Sequence, residues 1–163
     1  MSTLVLETFL GIPMHPLLVH FVVVFVPLLL LAALAYALVP GLRGRVGWLL
    51  VGLAVIAPLC ALVAKISGDA FRARLAGRDH VSPEQLSLVD GHRHYGTILV
   101  WLAAALGVLS LLLVLLPARV AAVKQSKALS VGLVVLTVGL SLANAYYVFK
   151  TGDSGAHIAW SGY

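Results

Sequence analysis

Charged residues are scarce in this chain of 163 residues: Asp, Glu, Lys and Arg together make up 10% of it, against 61% hydrophobic residues. An ordinary soluble domain has about 25% charged residues. With a mean hydropathy of +1.06, the composition excludes a soluble globular domain and predicts an integral membrane protein. The net charge of +5 does not indicate nucleic-acid binding, because the basic residues lie in short segments between long apolar runs.

Cysteine and the usual catalytic motifs are also missing. Cys60 is the only cysteine, so an intrachain disulfide is excluded, and its place within an apolar run favours a small buried residue. The chain has no glycine-rich phosphate loop, no cysteine pair, no Ser/His/Asp order and no paired catalytic carboxylates. No acidic residue lies deep in an apolar run, which argues against a proton-coupled carrier.

Apolar runs dominate the chain, and each is close to the length of about 20 residues that a membrane-spanning helix needs. They cover residues 16–39, 46–66, 95–116 and 128–149. The sequence therefore predicts an all-α integral membrane protein, a four-transmembrane-helix bundle forming a single membrane domain over residues 1–163. The connection 67–94 is the longest, and Ser82-Pro83-Glu84 in it has the order of an N-cap, a first-turn proline and a first-turn acid. We expect a short helix from Pro83 to Val89.

The basic residues predict the orientation. The loops 39–46 and 117–128 contain Arg and Lys and no acidic residue, whereas all six acids lie on the other side of the predicted spans. Short basic loops stay in the cytoplasm. We therefore expect a multi-pass protein of the bacterial plasma membrane, with both termini and the connection 67–94 outside.

With this orientation every histidine lies in the outer half of the protein. They are His15, His20, His80, His92, His94 and His157. His20 lies about one turn inside the first span, where an ionisable side chain should face the bundle and have a partner. His92 and His94 lie at the outer end of the third span, within reach of such a site.

Histidines on two facing helices are the ligands that a b-type haem needs, and the apolar spans suit its macrocycle. We expect His20 and His92 as axial ligands, with His15 and His94 as the alternatives, and Arg93, Lys65 and Lys150 as cations for the propionates. A second interpretation is a Zn or Cu site formed by four nitrogens from His15, His20, His92 and His94. A third is a cofactor-free structural subunit whose histidines only form hydrogen bonds. For His80 and His157, a polar loop or interface role is the simpler expectation.

Two further patterns concern helix packing. Ser130, Thr137, Ser141 and Asn144 share one face of the fourth span, which favours hydrogen bonds between helices over a transport path. Gly132, Gly139, Ala103 and Gly107 are expected at close helix contacts.

The second and fourth spans have similar ends, Lys65-Ile66-Ser67-Gly68-Asp69 and Lys150-Thr151-Gly152-Asp153-Ser154-Gly155. These segments indicate two repeated helical hairpins related by an axis along the membrane normal. Two unrelated helix ends are the alternative.

The segment Gly11-Ile-Pro-Met-His15-Pro16-Leu-Leu-Val-His20-Phe21 resembles the Gly-x-Pro-x-His-Pro-x-x-Val-His-Phe opening of a bacterial membrane family catalogued as domain of unknown function 2231. The segment 90–96, Asp-Gly-His-Arg-His-Tyr-Gly, resembles the family's His-x-x-x-Gly entry into the third helix, which singles out His92. Thr151-Gly-Asp-Ser-Gly155 resembles its Thr-Gly-His-x-Gly ending.

The resemblance implies a four-helix membrane bundle. Some family members are fused to Rieske or cytochrome-type modules, which implies a redox setting and favours haem. This chain departs from the family in having Val22 for a proline and Asp153 for the last histidine, with His157 four residues on.

Taken together, the sequence predicts a b-type haem protein that passes single electrons between a quinol or a membrane protein and an outer acceptor. We expect an electron carrier or redox subunit, not a stand-alone enzyme, embedded in the lipid bilayer as a homo-oligomer or part of a larger membrane complex.

Overall fold

Four long helices make up most of the computed structural model, which describes residues 8–78, 81–119 and 126–160. They are α1 (Met14–Leu38), α2 (Arg43–Ala76), α3 (Pro83–Arg119) and α4 (Lys127–Trp160). A 3-10 turn, Pro40–Leu42, joins α1 to α2, and two short antiparallel strands, β1 (Thr8–Phe9) and β2 (Ile12–Pro13), precede α1. All four helices are long and apolar enough to cross a membrane, which confirms the predicted fold class.

The helices form a ring in which each packs against the next and α4 packs against α1, while α1 and α3 face each other across the diagonal. Consecutive helices are therefore antiparallel neighbours, as short connections favour. The beginnings of α1 and α3 and the ends of α2 and α4 share one end of the bundle. We call this the histidine end, because His15 and His92 lie there.

The core consists largely of small and aliphatic side chains. Val26, Leu29, Leu50 and Leu106 are fully buried, and so are many alanines, while large apolar side chains cover the outside of the ring. This distribution suits a bundle in lipid, where close packing of small residues and not exclusion of water holds the helices together.

Gly107 lies where α3 passes close to the backbone of α2. A Cβ atom at this position would lie 2.5 Å from the carbonyl oxygen of Ala54, whereas Gly132 and Gly139 have no atom within 4 Å of such a Cβ. Ala103 is fully buried. The expected close contact is confirmed for Gly107, but the same expectation is wrong for Gly132 and Gly139, which face open space on α4.

The polar face of α4 packs inward. Thr137, Ser141 and Asn144 are buried, while Ser130 is exposed. The Asn144 amide donates a hydrogen bond of 3.0 Å to the carbonyl oxygen of Leu102 on α3. The expectation of an interhelical hydrogen bond is confirmed for this face.

The connection between the second and third helices is much shorter than predicted. α2 continues to Ala76 and α3 begins at Pro83, so both helices extend beyond the predicted spans, and the short helix expected from Pro83 to Val89 is the continuous start of α3. The predicted cap is right: Ser82 Oγ accepts a hydrogen bond from the backbone of Gln85, whose side chain accepts one from the Ser82 backbone. This reciprocal capping box starts a helix that runs without interruption into the third span.

Ion pairs explain why both helices extend beyond the apolar runs. Arg72 on α2 binds Asp90 on α3 at 2.7 Å, and Arg93 on α3 binds Asp69 on α2 at 2.7 Å. Arg93 also contacts Asp90 at 2.9 Å. These side chains pair across the helix ends, so the polar extensions of α2 and α3 pack together instead of forming a loop.

Candidate functional site

The first part of the site is the contact between His15 and α2. His15 Nδ1 lies 2.9 Å from the carbonyl oxygen of Ala64 and 3.2 Å from Ser67 Oγ. A carbonyl oxygen only accepts hydrogen bonds, so Nδ1 carries the hydrogen and Nε2 of the neutral ring keeps its lone pair. The Ser67 hydroxyl donates to the same carbonyl at 2.7 Å.

His92 makes the corresponding contact with α4. Its Nδ1 lies 3.0 Å from Ser154 Oγ, and the Ser154 hydroxyl donates to the carbonyl oxygen of Thr151 at 3.1 Å. Because that hydroxyl hydrogen is already used, Ser154 Oγ accepts from Nδ1–H. His92 therefore adopts the same tautomer as His15, again with the lone pair on Nε2.

Two glycines leave the space that the imidazole rings occupy. A Cβ on Gly68 would lie 2.9 Å from His15 Cε1, and a Cβ on Gly155 would lie 3.0 Å from His92 Cε1. A side chain at Gly68 would displace the His15 ring, and one at Gly155 would require the His92 ring to shift slightly. Each imidazole is thus held by a serine hydroxyl and by the bare backbone of the following glycine.

The two contacts are similar, because each joins a histidine to a Ser-Gly pair near the end of a helix, but their register differs from that of the predicted repeat. The matching pairs are Ser67-Gly68 with His15 and Ser154-Gly155 with His92. By these contacts Gly68 corresponds to Gly155. Alignment of the two similar sequence segments instead matches Gly68 with Gly152, three residues earlier.

The two rings meet across the diagonal of the bundle. Their centroids are 6.0 Å apart and their planes are inclined by 78°. Two imidazoles on opposite sides of one metal ion have centroids about 6 Å apart, from metal–nitrogen bonds of about 2.0 Å plus the ring radius. Metal-binding histidines also donate their other N–H to a protein acceptor, as His15 and His92 do. Only the distance between the centroids matches two histidines on one metal ion; the two rings make an edge contact with each other.

His20 lies elsewhere. Its side chain is exposed, and its Nδ1 lies 2.6 Å from the carbonyl oxygen of Pro16 on the same helix. Residues 15 and 20 are about 140° apart around a helix, so His20 points away from the bundle when His15 points into it. The expectation that His20 faces the interior is not met, and His92 faces His15 instead.

His94 is also outside the pair. It is exposed, and its ring lies 6.1 Å from that of Tyr95. Among the described residues no group of three or more His, Cys, Asp and Glu could hold a metal ion. The four-nitrogen site expected from His15, His20, His92 and His94 is therefore not assembled.

The basic residues expected to pair with haem propionates have different surroundings. Lys65 and Arg93 both bind Asp69, so each is already engaged with a carboxylate. Lys150 is half-buried, and the structure gives it no such carboxylate within the ranges it describes. His157 is exposed and bonds to Asp153 at 2.9 Å, and His80 lies outside the described residues.

Two surface cavities accompany the bundle. The first, of about 360 Å³, lies at the histidine end between the beginning of α3 and the end of α4, and is lined by Leu88, Ser154, His157, Ile158 and Trp160. The second, of about 470 Å³, is an apolar groove between the middles of α3 and α4 that includes Trp101 and Leu136. Neither cavity is lined by His15 or His92, but the first shares Ser154 with the His92 contact.

The comparisons with known proteins agree with the fold and leave the chemistry open. Residues 11–162 match the sequence model of a family described as a predicted membrane protein, domain of unknown function 2231. Neither the curated proteins nor the solved structures contain a match. By the match over residues 11–162, the chain belongs to this family of predicted membrane proteins.

Proposed function

We propose that this protein is an electron carrier of the membrane that holds the iron of a b-type haem between His15 and His92. One observation supports the proposal: the centroids of the two imidazoles lie 6.0 Å apart across the bundle, in an edge contact. Both present an unprotonated Nε2, because both Nδ1–H groups are bound to protein acceptors.

The proposed ligand set differs from the set expected from the sequence. His15 replaces His20 as the partner of His92, while His94 remains outside. Ala64, Ser67 and Ser154 fix the ring orientations, and Gly68 and Gly155 keep side chains away from the imidazoles. When bound, the iron would supply one-electron chemistry with no bond-making step by the protein.

The haem macrocycle also needs space between the helices. The two cavities lie beside other residues, so haem binding requires α2 and α4 to move apart at the histidine end. Lys150 is our candidate cation for a propionate, since Lys65 and Arg93 already bind Asp69.

We propose that the protein has the membrane orientation that its basic loops predict. The histidine end faces the outside of a bacterial plasma membrane, with both termini on that side. Electrons arrive from a quinol or a membrane protein and leave to an outer acceptor. A homo-oligomer or a larger complex would bring these partners together.

A bare Zn or Cu ion is the second candidate. The tight packing of the rings against Gly68 and Gly155 favours it, because an ion needs far less space than a porphyrin. Two histidines supply only part of a coordination shell, so water or a partner would complete it. A cofactor-free structural subunit would use the same two histidine contacts only to join α1 to α2 and α3 to α4.

The absorption spectrum of the detergent-purified protein, before and after dithionite, separates these functions. The haem proposal predicts a Soret band that shifts on reduction and sharp α and β bands. A spectrum without these bands, from cells well supplied with haem, contradicts it. Elemental analysis then distinguishes stoichiometric Zn or Cu from a protein without metal.

A further inference from the structure

We propose that the apolar groove between α3 and α4 binds an acyl chain of an anionic phospholipid, whose phosphate is held by Lys150 at the histidine end. This groove is the second surface cavity, of about 470 Å³, and we call it the α3–α4 groove. The inference goes beyond the proposed function, because it requires neither haem nor a metal ion.

The α3–α4 groove lies in the part of the protein that crosses the membrane. Both helices are long and apolar enough for a span. The lining residues on α3 lie between Trp101 and Leu112, and those on α4 are Leu136 and Leu140, all in the middle of the two apolar runs. Trp101 and Leu136 are exposed on the outside of the bundle. A lipid chain beside the bundle therefore reaches the groove directly.

Small residues keep the α3–α4 groove open. On α3, Ala104 and Ala105 are part of its lining. On α4, Gly139 lies about 60° from Leu136 around the helix, and a Cβ atom at Gly139 would meet no atom within 4 Å. Because these positions carry little or no side chain, the surface between the two helices is concave, which suits a flexible hydrocarbon chain.

Helix geometry places Lys150 on the same side of α4 as the groove. At about 100° per residue, Leu136, Leu140 and Lys150 lie within about 80° of one another around the helix. Tyr147 lies in the same arc and packs against Tyr95 of α3, with the ring centroids 6.4 Å apart. This side of α4 therefore faces α3, and Lys150 lies at the histidine end of the same seam.

The distance along α4 matches the length of a lipid chain. Leu140 and Leu136 precede Lys150 by 10 and 14 residues, which corresponds to about 15–21 Å along the helix axis. The hydrocarbon core of one leaflet is about 15 Å thick, half of the bilayer value. Lys150 directly follows the apolar run 128–149, where the headgroup region begins. A phosphate beside Lys150 thus leaves its acyl chains level with the groove.

The charges around Lys150 favour an anionic lipid. Lys150 is half-buried, and among the described residues it forms no ion pair with a carboxylate. Asp153, the acid nearest to it in the sequence, contacts His157 at 3.3 Å, and Asp90 on α3 is engaged by two arginines. A basic group between membrane helices attracts anionic headgroups. A zwitterionic headgroup carries its own cation, so Lys150 should select the anionic lipid.

Fluorescence quenching of Trp101 tests the site, because this side chain lines the groove. The full chain carries Trp48→Phe and Trp160→Phe, which leaves Trp101 as its only tryptophan. It is placed in phosphatidylcholine bilayers that contain dibrominated phosphatidylglycerol or dibrominated phosphatidylcholine at equal mole fraction. We expect the anionic lipid to bind about fivefold more tightly at low salt, and we expect Lys150→Gln to remove this preference.

Ala105→Leu and Ala145→Leu are a matched pair of variants. The first fills the groove, whereas the second adds the same side chain at an exposed position of α4 that does not line it. We expect Ala105→Leu to lose the preference for the anionic lipid and Ala145→Leu to keep it. An equal effect of the two substitutions overturns the inference.

The quenching also separates the lipid from other occupants. Equal quenching by the two lipids, or an unchanged preference in Lys150→Gln, overturns the inference. Weak quenching by both lipids overturns it as well, since another protein chain would then cover the groove. A preference that Lys150→Gln removes assigns Lys150 to a lipid phosphate and not to a haem propionate. Haem is tested separately by the absorption spectrum, so either proposal can fail while the other stands.

Discussion

At the scale of single residues, glycines decide where the two imidazoles lie. Gly68 and Gly155 are the surfaces against which His15 and His92 rest, and an added methyl group at either would overlap a ring. Serines one residue earlier, Ser67 and Ser154, hold the same rings by hydrogen bonds. Each half of the site therefore depends on a Ser-Gly pair near the end of a helix.

Substituting Gly155 tests this dependence against a neighbour in the same segment. In Gly155→Ala the new Cβ meets His92 Cε1 at 3.0 Å, so we expect a loss of about 1–3 kcal/mol in the free energy of unfolding and a displaced His92. Gly152→Ala adds its Cβ where no atom lies within 4 Å, and alanine is the better helix former. Thermal unfolding in detergent should show a lower Tm for the first variant and an equal or higher Tm for the second. Equal Tm values for the two variants would contradict a close contact between Gly155 and the His92 ring.

The choice between His15 and His20 shows what the sequence can predict at this scale. The sequence indicates that histidines gather at one end of the spans and that His92 is one of the paired residues. It does not indicate how α1 is rotated about its axis. That rotation depends on packing against α2, through Ala64, Ser67 and Gly68, and it turns His15 inward and His20 outward.

At the scale of helices, the contact between α2 and α3 at Gly107 is close. Of the glycines that the structure describes, Gly107 leaves the least space for a Cβ atom. The hydrogen of Gly107 faces the Ala54 carbonyl oxygen and the ring of Pro58. Ion pairs between Arg72 and Asp90 and between Arg93 and Asp69 join the same helices at the histidine end. These pairs are partly exposed to water, which weakens them, so close packing contributes the larger part.

Gly107→Ala should therefore separate α2 from α3. The new Cβ would lie 2.5 Å from a backbone oxygen, which cannot move without moving its helix. We expect a loss of about 1–3 kcal/mol in the free energy of unfolding, measured by titration with SDS in mixed micelles. Gly91→Ala on the same helix, with no atom within 4 Å of its Cβ, is the control and should be neutral. A neutral Gly107→Ala would show that the crossing is looser than described.

The helices themselves could be predicted well, because each span is a run of about 20 apolar residues. Their ends could not. The connection 67–94 looks polar enough to be a loop, yet its Arg and Asp side chains pair between α2 and α3 and keep the segments helical to Ala76 and from Pro83. Such pairings join residues distant in sequence, so a local pattern does not reveal them.

At the scale of the whole molecule, the hairpins α1–α2 and α3–α4 each bring one imidazole to the histidine end, where the ring centroids lie 6.0 Å apart. Each hairpin holds its imidazole with its own second helix. A centre between the two rings depends on both hairpins, so it forms only when they are assembled. The histidine end is also where the ion pairs and the first surface cavity lie.

Cysteine accessibility tests the proposed orientation of the bundle. In a Cys60→Ala background, Ser82→Cys lies between α2 and α3 at the histidine end, and Ser126→Cys lies just before α4 at the other end. A membrane-impermeant maleimide should label Ser82→Cys in intact spheroplasts, and Ser126→Cys only after permeabilisation. The opposite pattern would place the histidine end in the cytoplasm.

The most direct test of the central claim compares the four histidines as ligands by the reduced-minus-oxidised spectrum of each alanine variant. The account predicts that His15→Ala and His92→Ala each lower the haem bound per protein by roughly tenfold or more, while His20→Ala and His94→Ala retain the wild-type level. Helicity and monodispersity show that each variant is folded. Full haem content in folded His15→Ala and His92→Ala, or its loss in His20→Ala alone, would contradict the paired site.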